Sequence, residues 1–519
     1  MSSTIGRREL LALLAAGTLD AVRPAQAAAA APVTLTVGRR TLDVNGRAAS
    51  VFGILQPDGR HGLVTSIAAP FRVELRNEAD AKTLIHWHGL TPPYRQDGVP
   101  DISAPAVPPG GNASYDFPLR RPGTYWMHSH QGLQEQALMT APLIIHDAAP
   151  ARDEQEVVLM LHDFSFRSPQ EILDGLRRAT SSAAGKAMDR SSAAAGNAMA
   201  GHDMGGMNPD RMDVPGGGMK DMPRQGMNHG GMAGMAKQQN GDTGPAGMAT
   251  DLNDVEYDAF LANDRTLADP DLVRVEPGGR VRLRIINGSS ASNFSIVLGG
   301  TKATLIAVDG HPVQPMTGSV FPVAMAQRVD LSLRLPRGQS AVPVLAVLEG
   351  ERVQTGIVLA TAGARVQKLG SAAAKASPPL DFTMEQTLRA ARPLTPRKAD
   401  RVLTVDLTGS MQDYVWGLNG RVFGQDAPLP VASGERVEIV MTNRTMMSHP
   451  MHLHGHVFQV VAANGMRFAG AMRDTVLVPP MMSVTVAFDA DNPGKWAFHC
   501  HNLYHMAAGM MTTVQYATF

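Results

Sequence analysis

The sequence predicts an all-β fold made of three consecutive, related β-domains. Three observations carry this: strand-like segments throughout, one motif that recurs three times, and a second that recurs twice. The segments Val33 to Val37, Phe71 to Leu75, Val157 to Leu161, Val281 to Ile286, Val402 to Leu407 and Val437 to Met441 are short, β-branched and bounded by Gly, Pro, Asn or Asp, which marks strands. The first motif reads Arg72-Val73-Glu74-Leu75-Arg76-Asn77, then Arg280-Val281-Arg282-Leu283-Arg284-Ile285-Ile286-Asn287, then Arg436-Val437-Glu438-Ile439-Val440-Met441-Thr442-Asn443, always ending in Asn. Nine and eleven positions beyond that Asn stand His86 and His88 in the first copy and His452 and His454 in the third, but Ile296 and Leu298 in the second. Gly89, Gly299 and Gly455 follow, so the register is not arbitrary. The second motif joins Pro122-Gly123-Thr124-Tyr125-Trp126-Met127-His128-Ser129-His130 to Pro493-Gly494-Lys495-Trp496-Ala497-Phe498-His499-Cys500-His501. Metal chemistry is therefore expected in the first and third domains and not in the second.

In chain order, Met1 to Ala27 carries Arg7-Arg8, an apolar run from Leu10 to Leu19 that Asp20 ends, and Ala25-Gln26-Ala27, the pattern of a secretion signal; the paired arginines suggest the twin-arginine route. The apolar run is too short to span a bilayer, so no membrane span is expected once the signal is removed. Residues 32–150 form the first predicted domain, 151–375 the second and 395–519 the third. A helical pattern from Pro169 to Arg178 leads into residues 186–250, which are Gly, Met, Ala, Asn and Asp with almost no large aliphatic side chain and read as a mobile insertion without a core of its own. With 47 basic and 47 acidic residues, the chain lacks the charge excess that would argue for nucleic acid or an anionic membrane surface. Cys500 is the sole cysteine, so no intrachain disulfide forms.

Residues i and i+2 of a strand share one face. His86 with His88, His128 with His130, His452 with His454 and His499 with His501 thus each present two imidazoles to one side, which suits a polynuclear copper site between the first and third domains. Cys500 points to the opposite face, where a thiolate, two imidazoles and a weak thioether make a blue-copper electron-transfer site; Cys500, His449, His505 and Met510 supply that set. Ser129 stands where Cys500 does and Thr83 where His449 does, so the first domain has lost this second site. One His-x-His pair would read as ordinary or as part of a zinc site, but a structural zinc site usually draws on several cysteines, and four pairs in register with a repeat do not arise by chance.

His86-Trp87-His88-Gly89, His128-Ser129-His130, His449-Pro450-Met451-His452-Leu453-His454-Gly455 and His499-Cys500-His501 through Met510 resemble the four copper signatures of multicopper oxidases, the family of laccases and bacterial copper-resistance oxidases. Gly132-Leu133-Gln134-Glu135-Gln136, Thr445-Met446-Met447 and Tyr504-His505-Met506 most resemble the periplasmic copper-resistance protein A group. The resemblance implies three cupredoxin-like Greek-key domains, a periplasmic monomer and four copper ions. Type 1 copper would take His449, Cys500, His505 and Met510, and type 2 would take His86 and His452. The type 3 pair would take His88, His128 and His501 on one ion and His130, His454 and His499 on the other. Such a protein passes four single electrons, through Cys500 and its neighbours His499 and His501, to dioxygen and forms water. Axial Met510 implies a type 1 potential toward the low end for the family. Asp97 matches an acid that relatives place near type 2 copper as a proton relay, although Asp97-Gly98 is also a common turn pair. Some relatives carry a further acid after the last type 1 histidine, where this chain has Met506, and cuprous oxidases often have Asp where Thr445 stands.

Thioethers select Cu(I), and the insertion carries methionines from Met188 to Met248 with His202 and His229 among them. The expected reductant is therefore Cu(I), with phenols and aromatic amines beside it, in copper tolerance, and extra Cu(I) bound on the insertion. Two other readings are a general laccase with an incidental insertion and a copper-sequestering protein with minor oxidase activity.

Overall fold

The computed structural model describes residues 31–149, 153–178 and 252–519; the signal and the Met-rich insertion lie outside the described residues. All six segments named above as strands fall inside observed strands, and residues 169 to 178 are helical.

The strands build three sandwiches of two sheets each. In the first, a sheet ordered Arg47–Leu55, Val33–Val44, Phe71–Asn77, Asn112–Phe117 packs on one ordered Leu63–Ser66, Thr140–His146, Gly123–Ser129, Ile85–His88. Leu35, Phe71, Val73 and Leu75 from one sheet meet Trp87, Tyr125, Leu143 and Ile145 from the other in a single core. The second sandwich faces six strands with five, and the third faces a seven-stranded sheet with one ordered Leu429–Val431, Met511–Tyr516, Lys495–Cys500, His449–Leu453, Thr475–Val478. In all three, the repeated motif forms a strand lying parallel to the opening strand of its domain, as in the pairs Val33↔Val73, Val281↔Gln155 and Arg401↔Val437.

The terminal Asn of the motif explains why it recurs. Buried Asn77 donates from Nδ2 to the carbonyls of Ala81 and Val107, and its Oδ1 accepts from Ala79 N. Asn287 does the same with Ser292, Val323 and Ser289, and Asn443 with Met447, Val478 and Thr445. One side chain thus satisfies three buried backbone groups and sets the loop that leads into the next strand. That strand carries histidines in the first and third domains. The glycine that closes it has φ of +88° at Gly89, +54° at Gly299 and +65° at Gly455, the left-handed region where a Cβ is penalised.

Candidate metal centres

Strand Ile85–His88 pairs with Gly123–Ser129 so that His86 lies opposite His128, and strand His449–Leu453 pairs with Lys495–Cys500 so that His452 lies opposite His499. His130, His454 and His501 stand one residue past the strand ends rather than within them. The eight rings nevertheless form one cluster at the contact between first and third domains. Ring centroids are 3.8 Å apart for His88 and His452, 3.9 Å for His86 and His454, 5.0 Å for His130 and His499 and 5.1 Å for His128 and His501.

The donor atoms fit metal ions. The Nε2 atoms of His130 and His454 lie 3.3 and 3.0 Å from Nε2 of His499, so three nitrogens converge. The Nε2 atoms of His86, His128, His452 and His501 and Nδ1 of His88 are buried and have no hydrogen-bond partner. Buried polar atoms left in this way are rare unless an ion or ordered group meets them. Burial, followed by the neighbouring imidazoles, holds His88, His128, His130, His452, His454 and His501 well below the ordinary range for histidine, and burial lowers His499 to about 4. Neutral imidazole is the ligating form.

Three buried carboxylates face the outer ring nitrogens, and each faces one histidine from each domain. Asp97 accepts from His454 Nδ1 at 2.9 Å and lies 3.3 Å from His86 Nδ1, which donates to the Asp97 carbonyl. Asp474 accepts from His88 Nε2 at 3.1 Å and lies 3.7 Å from His452 Nδ1, which donates to the Asp474 carbonyl. Glu135 lies 2.7 Å from His128 Nδ1 and 3.8 Å from His501 Nδ1. Partners of this kind fix the tautomer and aim of a ligating imidazole. The second domain reaches the cluster through buried Arg328, which donates to Asp474 at 2.7 and 2.5 Å. Burial pushes Glu135 well above the ordinary carboxylate range, and the nearby Asp163 adds to it.

On the other face of the last strand, Cys500 Sγ lies 3.7 Å from His449 Nδ1 and 3.8 Å from His505 Nδ1, and those two nitrogens are 3.1 Å apart. Buried Met510 closes the same hairpin, its carbonyl accepting from Cys500 N at 3.1 Å. The outer nitrogens are held separately: His449 Nε2 lies 2.7 Å from Thr445 Oγ1, and His505 Nε2 lies 2.8 Å from Asp254 Oδ2. Both imidazoles therefore turn Nδ1 toward the thiol. Thr445 orients a ligand here as a neutral hydroxyl.

The first domain keeps this hairpin with other side chains. Thr83, Ser129, Gln134 and Met139 stand at the spacings of His449, Cys500, His505 and Met510. Ser129 N donates to Met139 O at 2.9 Å, and Met139 N to Gln134 O at 3.1 Å, as Cys500 N does to Met510 O and Met510 N to His505 O. In place of a metal there are hydrogen bonds: Gln134 Oε1 accepts from Ser129 Oγ at 2.7 Å and from Thr83 Oγ1 at 2.8 Å, with Met139 Sδ 3.0 Å from Thr83 Oγ1.

The predicted histidine and cysteine ligands thus lie in one of two clusters, with Met510 in the hairpin of the smaller and Asp97 against the larger. Sequence reasoning missed Glu135, Asp254, Arg328 and Asp474. Only Glu135 left a signal, standing six residues past Ser129 as Met506 stands six past Cys500. Of the histidines outside the motifs, His162 meets Thr140 Oγ1 and His456 meets Tyr516 Oη, both at 2.7 Å. Among the described residues, no helix is long and apolar enough to cross a membrane.

Family models described as multicopper oxidase match residues 68–150, 229–351 and 396–518. Multicopper oxidase MmcO of Mycobacterium tuberculosis is 30% identical over 452 residues, covering 86% of this chain and 79% of that protein. Copper resistance protein A of Escherichia coli is 25% identical over 547 residues, with 85% of each covered. Among solved structures, the laccase from Botrytis aclada superposes with a TM-score of 0.69 at 19% identity, covering 94% of this chain and 88% of that one. Fet3p, described as a multicopper oxidase that functions in iron import, gives 0.69 at 18% identity over 93% and 90%.

Proposed function

The chain belongs to the multicopper oxidase family, a copper-dependent oxidoreductase with dioxygen as acceptor, and from that premise we propose that it oxidises Cu(I), with phenols and aromatic amines as further reductants, in an exported copper-tolerance role. In this reading His449, Cys500, His505 and Met510 hold type 1 copper and His86 and His452 hold type 2. His88, His128 and His501 serve one type 3 ion and His130, His454 and His499 the other. Bound copper supplies the single-electron steps and the reduction of dioxygen. The protein's own part is to join the centres: Cys500 belongs to one cluster while its chain neighbours His499 and His501 belong to the other. Asp97, with Oδ1 buried and unpartnered 3.3 Å from His86 Nδ1, is the acid that carries protons to the larger cluster.

The observation that carries the Cu(I) reading is where the Met-rich insertion is tied down. On its N-terminal side Ile172 and Leu173, and on its C-terminal side Val255, pack in the same core as Trp416, Cys500 and Met510 of the third domain. The described chain resumes at Leu252, and Asp254 lies against His505. The C-terminal stem of the insertion thus passes beside His505 and the N-terminal stem packs into the core of the same domain, so a thioether-rich segment between them would deliver a soft cation to that domain. Oxygen uptake by the copper-loaded protein, intact and lacking residues 186–250, with Cu(I) and with a dimethoxyphenol, tests this. The expected outcome is that Cu(I) turnover is lost and phenol turnover spared; if neither rate changes, the protein is a general laccase. Export through residues 1–27 predicts a mature N-terminus after Ala27, read by mass spectrometry.

A further inference from the structure

We propose that Glu135 is a positioning residue of the larger cluster, bracketing His128 of the first domain and His501 of the third, and that the emptied blue-copper hairpin of the first domain now serves to hold it there. The inference rests on the copper reading of the eight imidazoles.

Glu135 is the middle residue of Gln134-Glu135-Gln136, and both glutamines are pinned. Gln134 Oε1 accepts from Ser129 and Thr83, and its Nε2 donates to Lys82 O at 3.0 Å. Gln136 Oε1 accepts from Tyr257 Oη at 2.8 Å and from Tyr504 Oη at 3.1 Å, side chains of the second and third domains. Between these anchors the Glu135 side chain is 3% exposed, and its Oε2 reaches His128 Nδ1 at 2.7 Å while Oε1 lies 3.8 Å from His501 Nδ1. His128 Nδ1 also meets the Ser129 carbonyl at 3.1 Å, and acceptors on the Nδ1 side keep the proton there and leave Nε2 as the ligating atom. The Nε2 atoms of His128 and His501 are among the buried, unpartnered nitrogens. The equivalent residue of the third domain is Met506, whose thioether is only a weak acceptor and carries no charge. The first domain thus contributes, from the loop that would have held a type 1 ion, a carboxylate shared by two ligands from different domains.

The test uses the full chain loaded with copper and dialysed against graded chelator, following the near-ultraviolet absorption of the coupled copper pair and the blue absorption of the Cys500 copper separately. Glu135→Gln is expected to lose the coupled pair at roughly 10- to 100-fold lower chelator, the usual cost of removing an outer partner of a metal-bound histidine, with the blue absorption unmoved. Gln134→Leu, which removes the anchor but not the carboxylate, gives a smaller shift of the same sign. If Glu135→Gln does not accumulate as folded protein, Glu135→Asp decides, since it keeps the carboxyl group but withdraws it from both rings; its coupled pair is then lost at lower chelator than in the parent. Parent-like titration of the Glu135 variant, or simultaneous loss of both absorptions, overturns the proposal. A parent that shows neither absorption overturns the copper reading itself.

Discussion

Between Ser129 and Met139 and between Cys500 and Met510 the backbone is closed by the same two hydrogen bonds, yet one hairpin gathers a thiol and two imidazoles and the other two hydroxyls and an amide. The hairpin is therefore a product of strand pairing and not of the metal. Four side chains distinguish the two hairpins. Hydroxyls and an amide satisfy one another in the interior, whereas the thiol and two imidazole nitrogens of the third domain converge at 3.1 to 3.8 Å as a soft donor set suited to copper.

The largest test of this comparison converts one hairpin toward the other. Cys500→Ser should abolish the blue absorption and bring oxidase turnover to background, while copper stays on the eight imidazoles; retained turnover would break the assignment of electron entry to the third domain. The reverse change, Thr83→His with Ser129→Cys and Gln134→His, should add one copper per chain and a second blue absorption, read by metal analysis and visible spectroscopy. If the folded triple variant binds no extra copper, the hydrogen bonds have reshaped the first hairpin and not merely replaced the ion. Within the third domain the two outer partners are unequal: Asp254→Ala, which removes a carboxylate from His505, should lower the turnover number roughly tenfold with the blue absorption retained, equivalent to about 1.4 kcal/mol, and Thr445→Val should do less.

Smaller effects separate the roles of the two hairpins in stability. Gln134→Leu leaves the Ser129 and Thr83 hydroxyls without their shared acceptor and should cost about 1–3 kcal/mol in thermal or denaturant unfolding of the metal-free protein. A buried histidine outside the two clusters gives an effect that is small near neutrality and grows on acidification. Burial pushes His311 down to about 3 from an ordinary value of 6.5. The unfolded chain then takes up this proton first as pH falls, so the neutral ring's contribution is complete above pH 6.5 and drains away between about 6.5 and 3. His311→Asn should remove about 1 kcal/mol of acid sensitivity per pH unit just below 6.5, measured on the copper-loaded protein, where the ligand histidines are held by metal.

The Asn-terminated motif was visible as a repeat before its reason was: only the loops of all three domains show that Asn77, Asn287 and Asn443 each satisfy three backbone groups. The histidine pairs were legible because alternation along a strand is local, and it persists one residue past the strand ends at His130, His454 and His501. Asp254, four residues past the low-complexity segment 186–250, carries no motif at all, and Asp474 follows Arg473 with no motif around it.

By itself, the sequence determined the all-β class, the threefold repeat, which domains carry the paired histidines and which face of each strand they occupy, since each of these depends on spacing within a few residues. Tertiary structure alone decided which carboxylate meets which imidazole. Asp474 reaches His88 across 386 positions of chain and Asp97 reaches His454 across 357, so no local pattern encodes them. They meet because three sandwiches pack together, and burial at that junction holds imidazoles such as His88 and His454 well below the ordinary histidine range, with Asp474 and Asp97 on their outer nitrogens.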